Sequence, residues 1–371
     1  MRLAAFNVEN LFDRPRAMNQ DNWSDGRTVL EQFAETNAIL AKPAYTAADQ
    51  ARLKQLLITL GLEKSDTGPF VLLRQNRGKL VKRPRAGGIE IEADGRSDWI
   101  GWLELRTEPV NERAIRNTAQ VIVDVKADVL AVVEAESRPV LEHFSSELLP
   151  IAGGAPYHHV MLIDGNDERG IDVALMTRKG FPISDMRSHV DDRLANGMPV
   201  FSRDCPEYLV TTPRGARLWV LPNHYKSKGF GTPATSNARR LAQAARTAEI
   251  YNTLIGRGET LVAVVGDLND FPGSAPLAPL VDNTDLKDVS TLPGFQDGGF
   301  PGTFGQTAGP TNKIDYVLMS PALMAKATGG GLFRTGVWSG IRNPKWPVYP
   351  TMEKPEHAAS DHAAIWVDLD I

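Results

Sequence analysis

An α/β fold with sheets covered on both faces is predicted by three features of this 371-residue sequence. Strand-like runs recur at residues 128–133, apolar after the leading Asp128, and at 261–265. Runs this short and this apolar read as strands buried on both faces. Stretches with helical spacing alternate with them, and Gly/Pro-rich loops separate the two kinds. Buried strands interleaved with helices pack as sheets layered with helices. The length suits two domains or one large elaborated one.

The elements follow in order. A short strand at 3–6 opens the chain, and further strands are expected at 173–176, 218–221, 316–319 and 364–369. Residues 113–126 place Ile115, Ala119 and Ile122 on one helical face. A second helix is expected from about 237 to 255, with Leu241, Ala245, Ala248 and Ile255 inward and Gly256 to end it. Far more chain lies between Asn7 and Glu134 than one strand and one helix need, so residues from about 14 to 110 read as an inserted subdomain. Within it, Thr46-Ala47-Ala48-Asp49 resembles a capping box. It opens a helix with Leu53, Leu56, Leu57 and Leu60 on one face and Gly61 as its stop. Residues 70–73 and 89–91 read as short strands around a basic turn. No internal repeat or low-complexity tract interrupts the pattern.

Composition narrows the function classes. A net charge of −4 argues against a generally basic binder and leaves room for a local basic face. One cysteine, Cys205, excludes an internal disulfide and fits a reducing compartment. Nothing around Cys205 reads as an activating base, so it is no candidate nucleophile. No apolar run approaches the roughly 20 residues that span a bilayer. The expected location is cytoplasmic, or periplasmic or secreted if a leader is removed. The sequence leaves protein partners open, and a monomer is compatible with it.

Polar residues stand directly at the ends of the buried strands. They are Asn7-Val8-Glu9-Asn10, Glu134 with Glu136, Asn223-His224-Tyr225-Lys226-Ser227-Lys228, Gly266-Asp267-Leu268-Asn269-Asp270, Lys313-Ile314-Asp315-Tyr316 and Ser360-Asp361-His362. Strand ends are where ligands bind in α/β sheets, because several ends converge while the loops stay free to carry polar groups. Singly each cluster has a plain reading: a turn residue, a cap, an exposed carboxylate or an ordinary histidine. A charge placed right after Val132-Val133, however, risks partial burial and then demands a partner or a metal. Together the clusters read as a site.

In this order, Asn7-Val8-Glu9-Asn10, Glu134, Gly266-Asp267-Leu268-Asn269, Ile314-Asp315-Tyr316 and Ser360-Asp361-His362 resemble the motifs of the endonuclease/exonuclease/phosphatase superfamily. Asn223-His224-Tyr225-Lys226-Ser227-Lys228-Gly229 is similar to its nuclease branch, and the segment around Asp315 lacks the Trp-Cys-Asp-Arg pattern of inositol-phosphate phosphatases. The likeness covers residues 1–13 and about 111–371 and leaves the insertion unmatched. It implies a four-layer DNase I-like sandwich of two packed mixed β-sheets flanked by helices, with a site at one end. It also implies a metal-dependent hydrolase of P–O bonds.

By this resemblance Glu134 is the main ligand of Mg²⁺ or Mn²⁺, with Asn7, Glu9 and Asp361 in or near the shell. Hard divalent cations take such oxygen donors. Asp267 and Asn269 would align the attacking water and the scissile phosphate. His362, oriented by Asp315, would serve as base or as donor to a phosphate oxygen, and both Asp267 and His362 stay open as the general base. His224 would be a second donor, oriented by Asp172, while Lys226 and Arg239 (or its neighbour Arg240) are candidates to reach a phosphate.

Residues 74–85 hold six Lys/Arg and no acid: Arg74, Arg77, Lys79, Lys82, Arg83 and Arg85. Such a run could track a nucleic-acid backbone, or form a solvated hairpin paired with Glu90, Glu92 and Asp94. Trp99 and Trp102 could stack on bases or fill a small core, and Trp338, Trp346 and Tyr349 could wall the cleft or pack. Three functions remain: a nuclease, a phosphatase or phosphodiesterase for a lipid head group or small phosphorylated molecule, and an inactive relative that only binds. The filled motif positions argue against the last. No P-loop, His-Glu-x-x-His or Gly-x-Ser-x-Gly is present.

Overall fold

Uninterrupted apolar runs become the central strands of two large sheets in the computed structural model, which describes residues 1–9, 16–18, 23–106, 111–167, 169–228 and 232–371. Asn10 and Gly229, which close two of the motifs, lie outside the described residues. The chain divides into two compact units, Met1–Phe12 with Val110–Ile371, and Asp13–Pro109.

The chain begins with β1 (Arg2–Asn7), α1 (Trp23–Leu40), α2 (Ala47–Thr59), β2 (Val71–Arg77), β3 (Val81–Lys82), β4 (Glu90–Ile91) and β5 (Ile100–Leu105). Then come α3 (Glu112–Val125), β6 (Val129–Ala135), α4 (Arg138–His143), α5 (Leu149–Ile151), β7 (His159–Leu162), β8 (Asp172–Thr177), β9 (Ile183–Arg187) and β10 (Glu207–Thr211). The last stretch holds β11 (Arg217–His224), α6 (Pro233–Gly256), β12 (Val262–Asp267), β13 (Lys287–Asp288), β14 (Asp315–Met319), β15 (Ala327–Phe333) and β16 (Ala364–Leu369).

In the larger unit one sheet runs β15-β16-β1-β6-β8-β7 and the other β13-β14-β12-β11-β10-β9. Both are mixed: β1 lies parallel to β6 and β11 parallel to β12, and the other pairings are antiparallel. Alternate residues explain the layering. Leu3, Ala5 and Val129 of the first sheet pack with Val220, Ala263 and Val265 of the second. On the opposite side of β1 and β6, Ala4, Phe6 and Val132 pack with Ile115, Ala119 and Ile122 of α3. The outer face of the second sheet, with Leu221 and Val264, is covered by Ala244, Ala248 and Tyr251 of α6. Strands buried on both faces must be apolar at every position, which is why periodicity alone could not separate the two faces. The layers are helix, sheet, sheet, helix, the DNase I-like arrangement.

One boundary differs from expectation. The helix expected near 237 starts at Pro233, because the Thr232 side chain accepts the Thr235 N–H and proline suits the first turn. Cys205 is fully buried in the α6-side core, with Sγ 3.9 Å from Thr247 Oγ1. Burial pushes its thiol far above the usual range, and the charge of Asp204 adds to this. Among the described residues no helix is long and apolar enough to cross a membrane.

The smaller unit has its own core, in which Leu53, Leu56 and Leu57 of α2 meet Leu73, Trp99 and Leu103. The Thr46–Asp49 capping box closes both ways: Thr46 Oγ1 accepts the Asp49 N–H at 3.1 Å and Asp49 Oδ2 accepts the Thr46 N–H at 3.0 Å. The strand pairing corrects the sequence reading. Residues 70–73 do not pair with 89–91; β2 pairs with β5, and β3 with β4. The strand passed over, β5, carries Gly101, where a Cβ would lie 2.1 Å from the Trp99 ring. The glycine admits Trp99 beneath the ribbon, where its Nε1 donates to Tyr45 Oη at 2.9 Å.

Thr46→Ala is expected to destabilise this unit by about 1 kcal/mol. A urea titration would show a lower midpoint, and an unchanged midpoint would mean that the cap contributes nothing.

Candidate active site

Strand register gathers the polar ends. Asn7 ends β1 beside Val133, parallel β11 and β12 set His224 opposite Asp267, and antiparallel β14 sets Asp315 on the other side of Asp267. Between Val133 and Ala135 the pairing with β8 slips by one residue, so Glu134 is the extra residue of a bulge. A bulge re-aims a side chain that the pleat would otherwise send to the opposite face. Glu134 stands at φ 68°, Glu9 at 54° and Asn269 at 54°, left-handed backbone that non-glycine residues rarely adopt. Gly266 is required where it is: at φ 118° its Cβ would come 2.2 Å from the Asn223 carbonyl.

A hydrogen-bonded web joins these ends. Asn7 Nδ2 lies 3.2 Å from Glu134 Oε1, 3.3 Å from Asp267 Oδ2 and 3.5 Å from His362 Nε2. Ser360 Oγ donates to the Asn7 carbonyl at 2.7 Å and accepts the His362 N–H, which explains the serine of Ser-Asp-His. Glu9 Oε2 accepts the Asp361 N–H at 3.1 Å. His362 Nδ1 meets Asp315 Oδ2 at 2.8 Å. Asn269 donates its N–H to Asp267 Oδ1 at 2.8 Å and its side-chain Nδ2 to Oδ2 at 3.0 Å.

The two histidines sit in opposite fields. Burial opposes charge on His362, but Asp315, Asp361 and Asp267 outweigh it and hold the imidazole well above its usual value. Burial lowers His224 well below its usual value, and Arg203 and Arg169 push the same way. His224 Nε2 lies 3.7 Å from both Glu134 Oε1 and Asp267 Oδ2, and its buried Nδ1 has no hydrogen-bond partner. Burial and the neighbouring Asp315 push the Asp267 carboxyl up to about 8. Lys226 is pushed down to about 7, by burial and then by Arg169 and Arg203.

The structure thus brings together Asn7, Glu134, His224, Asp267, Asn269, Asp315, Asp361 and His362. It departs from the sequence reading at Asp172 and Arg239, and it details how Asn7 and Glu9 sit beside the carboxylates. Asp172 does not orient His224: its Oδ1 accepts the Gly165 N–H at 2.8 Å, and His224 Nδ1 is unpaired. Asn7 Oδ1 accepts the Glu9 N–H at 3.0 Å, while its Nδ2 faces the carboxylates of Glu134 and Asp267. Glu9 braces Asp361 through the same carboxylate expected to face a metal. No ion pair or hydrogen bond ties Arg239 to the cluster; Arg240 is the fixed one, bonded to Asp270 Oδ2 at 3.0 Å and to the Lys226 carbonyl at 2.8 Å.

Sequence reasoning passed over Thr303, whose Oγ accepts the N–H groups of Ile314 and Asp315. It also passed over Arg169 and Arg203 as site residues. Both bind the single carboxylate of Asp167, at 2.7 and 2.9 Å, and their charges act on Glu134, His224 and Lys226. The available signal was Arg203-Asp204 standing inside the otherwise apolar Val200-Phe201 and Cys205 surroundings, a buried charge that needs a partner.

A sequence profile of the endonuclease/exonuclease/phosphatase family matches residues 108–362, and the chain belongs to that family, whose members are hydrolases of phosphoester bonds. Among solved structures, a mannosyl-6-phosphatase of Bacteroides thetaiotaomicron is 17% identical with a TM-score of 0.50, over 70% of this chain and 92% of its own. A family member from the same bacterium is 15% identical with a TM-score of 0.50, over 70% and 90%. The human Nocturnin catalytic domain is 14% identical with a TM-score of 0.47, over 71% and 88%. At these identities the likeness is one of fold. No curated protein sequence matches the chain.

Enzymes of this family typically depend on a divalent metal, and the residues here fit one. The Glu134 carboxylate shares the Asn7 amide with Asp267, and Asp361 lies beside His362, so oxygen donors flank the close cluster of Asp267, Asp315 and His362. Asp361 Oδ1 is buried without a hydrogen bond, and Asp267 resists ionisation because burial and nearby carboxylates leave its charge uncompensated. A dication would relieve that repulsion.

Gly266→Ala is expected to cost more than 2 kcal/mol, since backbone must move to admit the methyl group; an unaltered melting temperature would contradict the packing described. Asp172 gives a pH test. Its carboxyl is pushed up to about 7, by burial first and then by Asp164 and Asp167. The folded state therefore holds a proton that the unfolded chain releases near its ordinary value, and stability falls as pH rises from about 4 to 7. Asp172→Asn should remove this fall, gaining on the order of 1–3 kcal/mol over wild type at pH 8 relative to pH 4. Melts of both proteins that stay parallel across this range would refute it.

Proposed function

We propose that this chain is a divalent-metal-dependent nuclease that hydrolyses phosphodiester bonds in nucleic acid. The observation that carries the reaction type is the buried junction at which Asn7 meets Glu134 and Asp267 beside the Asp315–His362 pair. Bound Mg²⁺ or Mn²⁺, held by Glu134 and Asp361 with Asn7 and Glu9 bracing them, would supply charge neutralisation at the phosphate and an acidified water.

The chain's own groups do the rest. Asp267, gripped by two donors of Asn269, is fixed as the acceptor that aligns water and takes its proton. His362, kept cationic by Asp315, donates to a non-bridging oxygen and does not act as the base. Neutral His224 offers one N–H toward the same phosphate. Arg169, Arg203 and Lys226 add positive charge where the substrate adds negative charge. Two half-exposed rings favour a polymer with bases: Phe304, 4.9 Å from the His362 ring, and Phe271, over which Lys228 sits at 4.7 Å.

A phosphatase is the second reading. It is favoured by the gathering of Arg169, Arg203 and Lys226 beside His224, a cationic density that suits the extra charge of a phosphomonoester.

Supercoiled plasmid, single-stranded DNA, RNA, a bis-aryl phosphodiester and an aryl phosphomonoester, each with Mg²⁺, Mn²⁺ or EDTA, separate the two. Polymer cutting that EDTA stops is the expected result, whereas turnover of the monoester alone would replace the nuclease by a phosphatase. Glu134→Gln and His362→Ala should each lower kcat by about 10²–10⁴-fold without unfolding the protein. Full activity in either variant would sink the assignment.

A further inference from the structure

The sequence left Trp99 and Trp102 equivalent, and the smaller unit separates them. Trp99 lies under the β2–β5 ribbon, fully buried. Trp102 stands on the outer face, 48% exposed, and Ile100 on the same face is 37% exposed. An exposed tryptophan on an unpartnered ribbon leaves a large flat apolar surface in water.

The surrounding charge says what would cover it. Register sets Arg74 opposite Trp102 and Arg77 opposite Ile100. An alternation without interruption would send Arg74 and Arg77 to opposite faces. The bulge between Gln75 and Arg77 adds one residue and returns Arg77 to the face of Arg74 and Trp102. Arg74 is held by Glu104, Lys82 lies 3.4 Å from Glu90 and Arg83 is bound to Asp66, so half of the basic run is already neutralised. Arg77, Lys79 and Arg85 are exposed and make no ion pair among the described residues. The free cations thus lie at the β2 end of the ribbon and just beyond it.

From this we infer that the outer face of the β2–β5 ribbon is a binding surface for single-stranded nucleic acid, with Trp102 stacking on a base and Arg77 and Lys79 meeting the backbone. A flat ring flanked by cations fits a polyanion whose repeating units each carry an aromatic face. Charge complementarity excludes an acid-free apolar partner. The inference rests on the nucleic-acid reading of the active site and names a second place where the same substrate is held.

The test uses the full chain in EDTA, so that binding is read without turnover, with a fluorescein-labelled oligothymidylate followed by anisotropy. Wild type is expected to bind with an affinity that falls as salt rises. Trp102→Ala should weaken binding by about tenfold, and Arg77→Glu with Lys79→Glu should flatten the salt dependence. Ile58→Ala, an exposed apolar residue on α2, should change nothing. Equal affinities of wild type and Trp102→Ala, or no binding by wild type, overturn the proposal. So does loss of binding to anionic phospholipid vesicles in Trp102→Ala while oligothymidylate binding is unchanged. Cleavage by the metal-loaded enzyme without metal-free binding removes the ribbon alone. Trp102-dependent binding by a protein that cuts no polymer keeps the ribbon and removes the nuclease reading.

Discussion

The amide of Asn7 reaches the carboxylate of Glu134 in its own sheet and that of Asp267 in the other, and the polar end of the molecule is organised around that bridge. It holds only because the faces behind it are apolar throughout. Leu3 and Ala5 against Ala263 and Val265 fix the separation of the sheets, and the strand ends inherit that spacing. Carboxylates brought this close repel, and each is partly desolvated. The repulsion is sustained by the core, since burial of several large side chains outweighs one unfavourable charge contact.

Placement also divides the site into two electrical halves. Burial, with the charges of Arg203 and Arg169, lowers His224, while Asp315 and Asp361 outweigh burial and raise His362, so two identical side chains are pushed in opposite directions. Environment rather than residue type assigns donor and acceptor, as expected where titratable groups are pushed apart by their neighbours. The bulge at Glu134 and the left-handed backbone at Glu9 and Asn269 serve this division, turning side chains out of the pleat toward a common point.

Much of this was legible in the sequence. Every strand end that carries a site residue was marked by a polar group just after or just before an apolar run, because burial on both faces leaves no other place for polar atoms. Contacts between residues distant in sequence were not legible. Asp172 was expected to serve His224 by the family resemblance, yet the Gly165 N–H claims its carboxylate. Arg203 gave only the signal of a charge among apolar neighbours, and its partner Asp167 stands far back in the chain. In the insertion, β5 was missed because Gly101 breaks the apolar pattern that its neighbours set, and the β2 bulge lies outside any period-two reading.

Cys205 follows Arg203 and Asp204 and lies wholly inside the core under α6. Since the chain has no other thiol, any thiol-selective reagent marks this one position. Its modification rate is then a clock for the opening of the segment that carries the buried arginine. Because the thiol is both shielded and held protonated, that clock stays silent in the closed molecule. The protein therefore contains a native reporter for breathing beside the buried Arg203–Asp167 pair, with no label engineered into it.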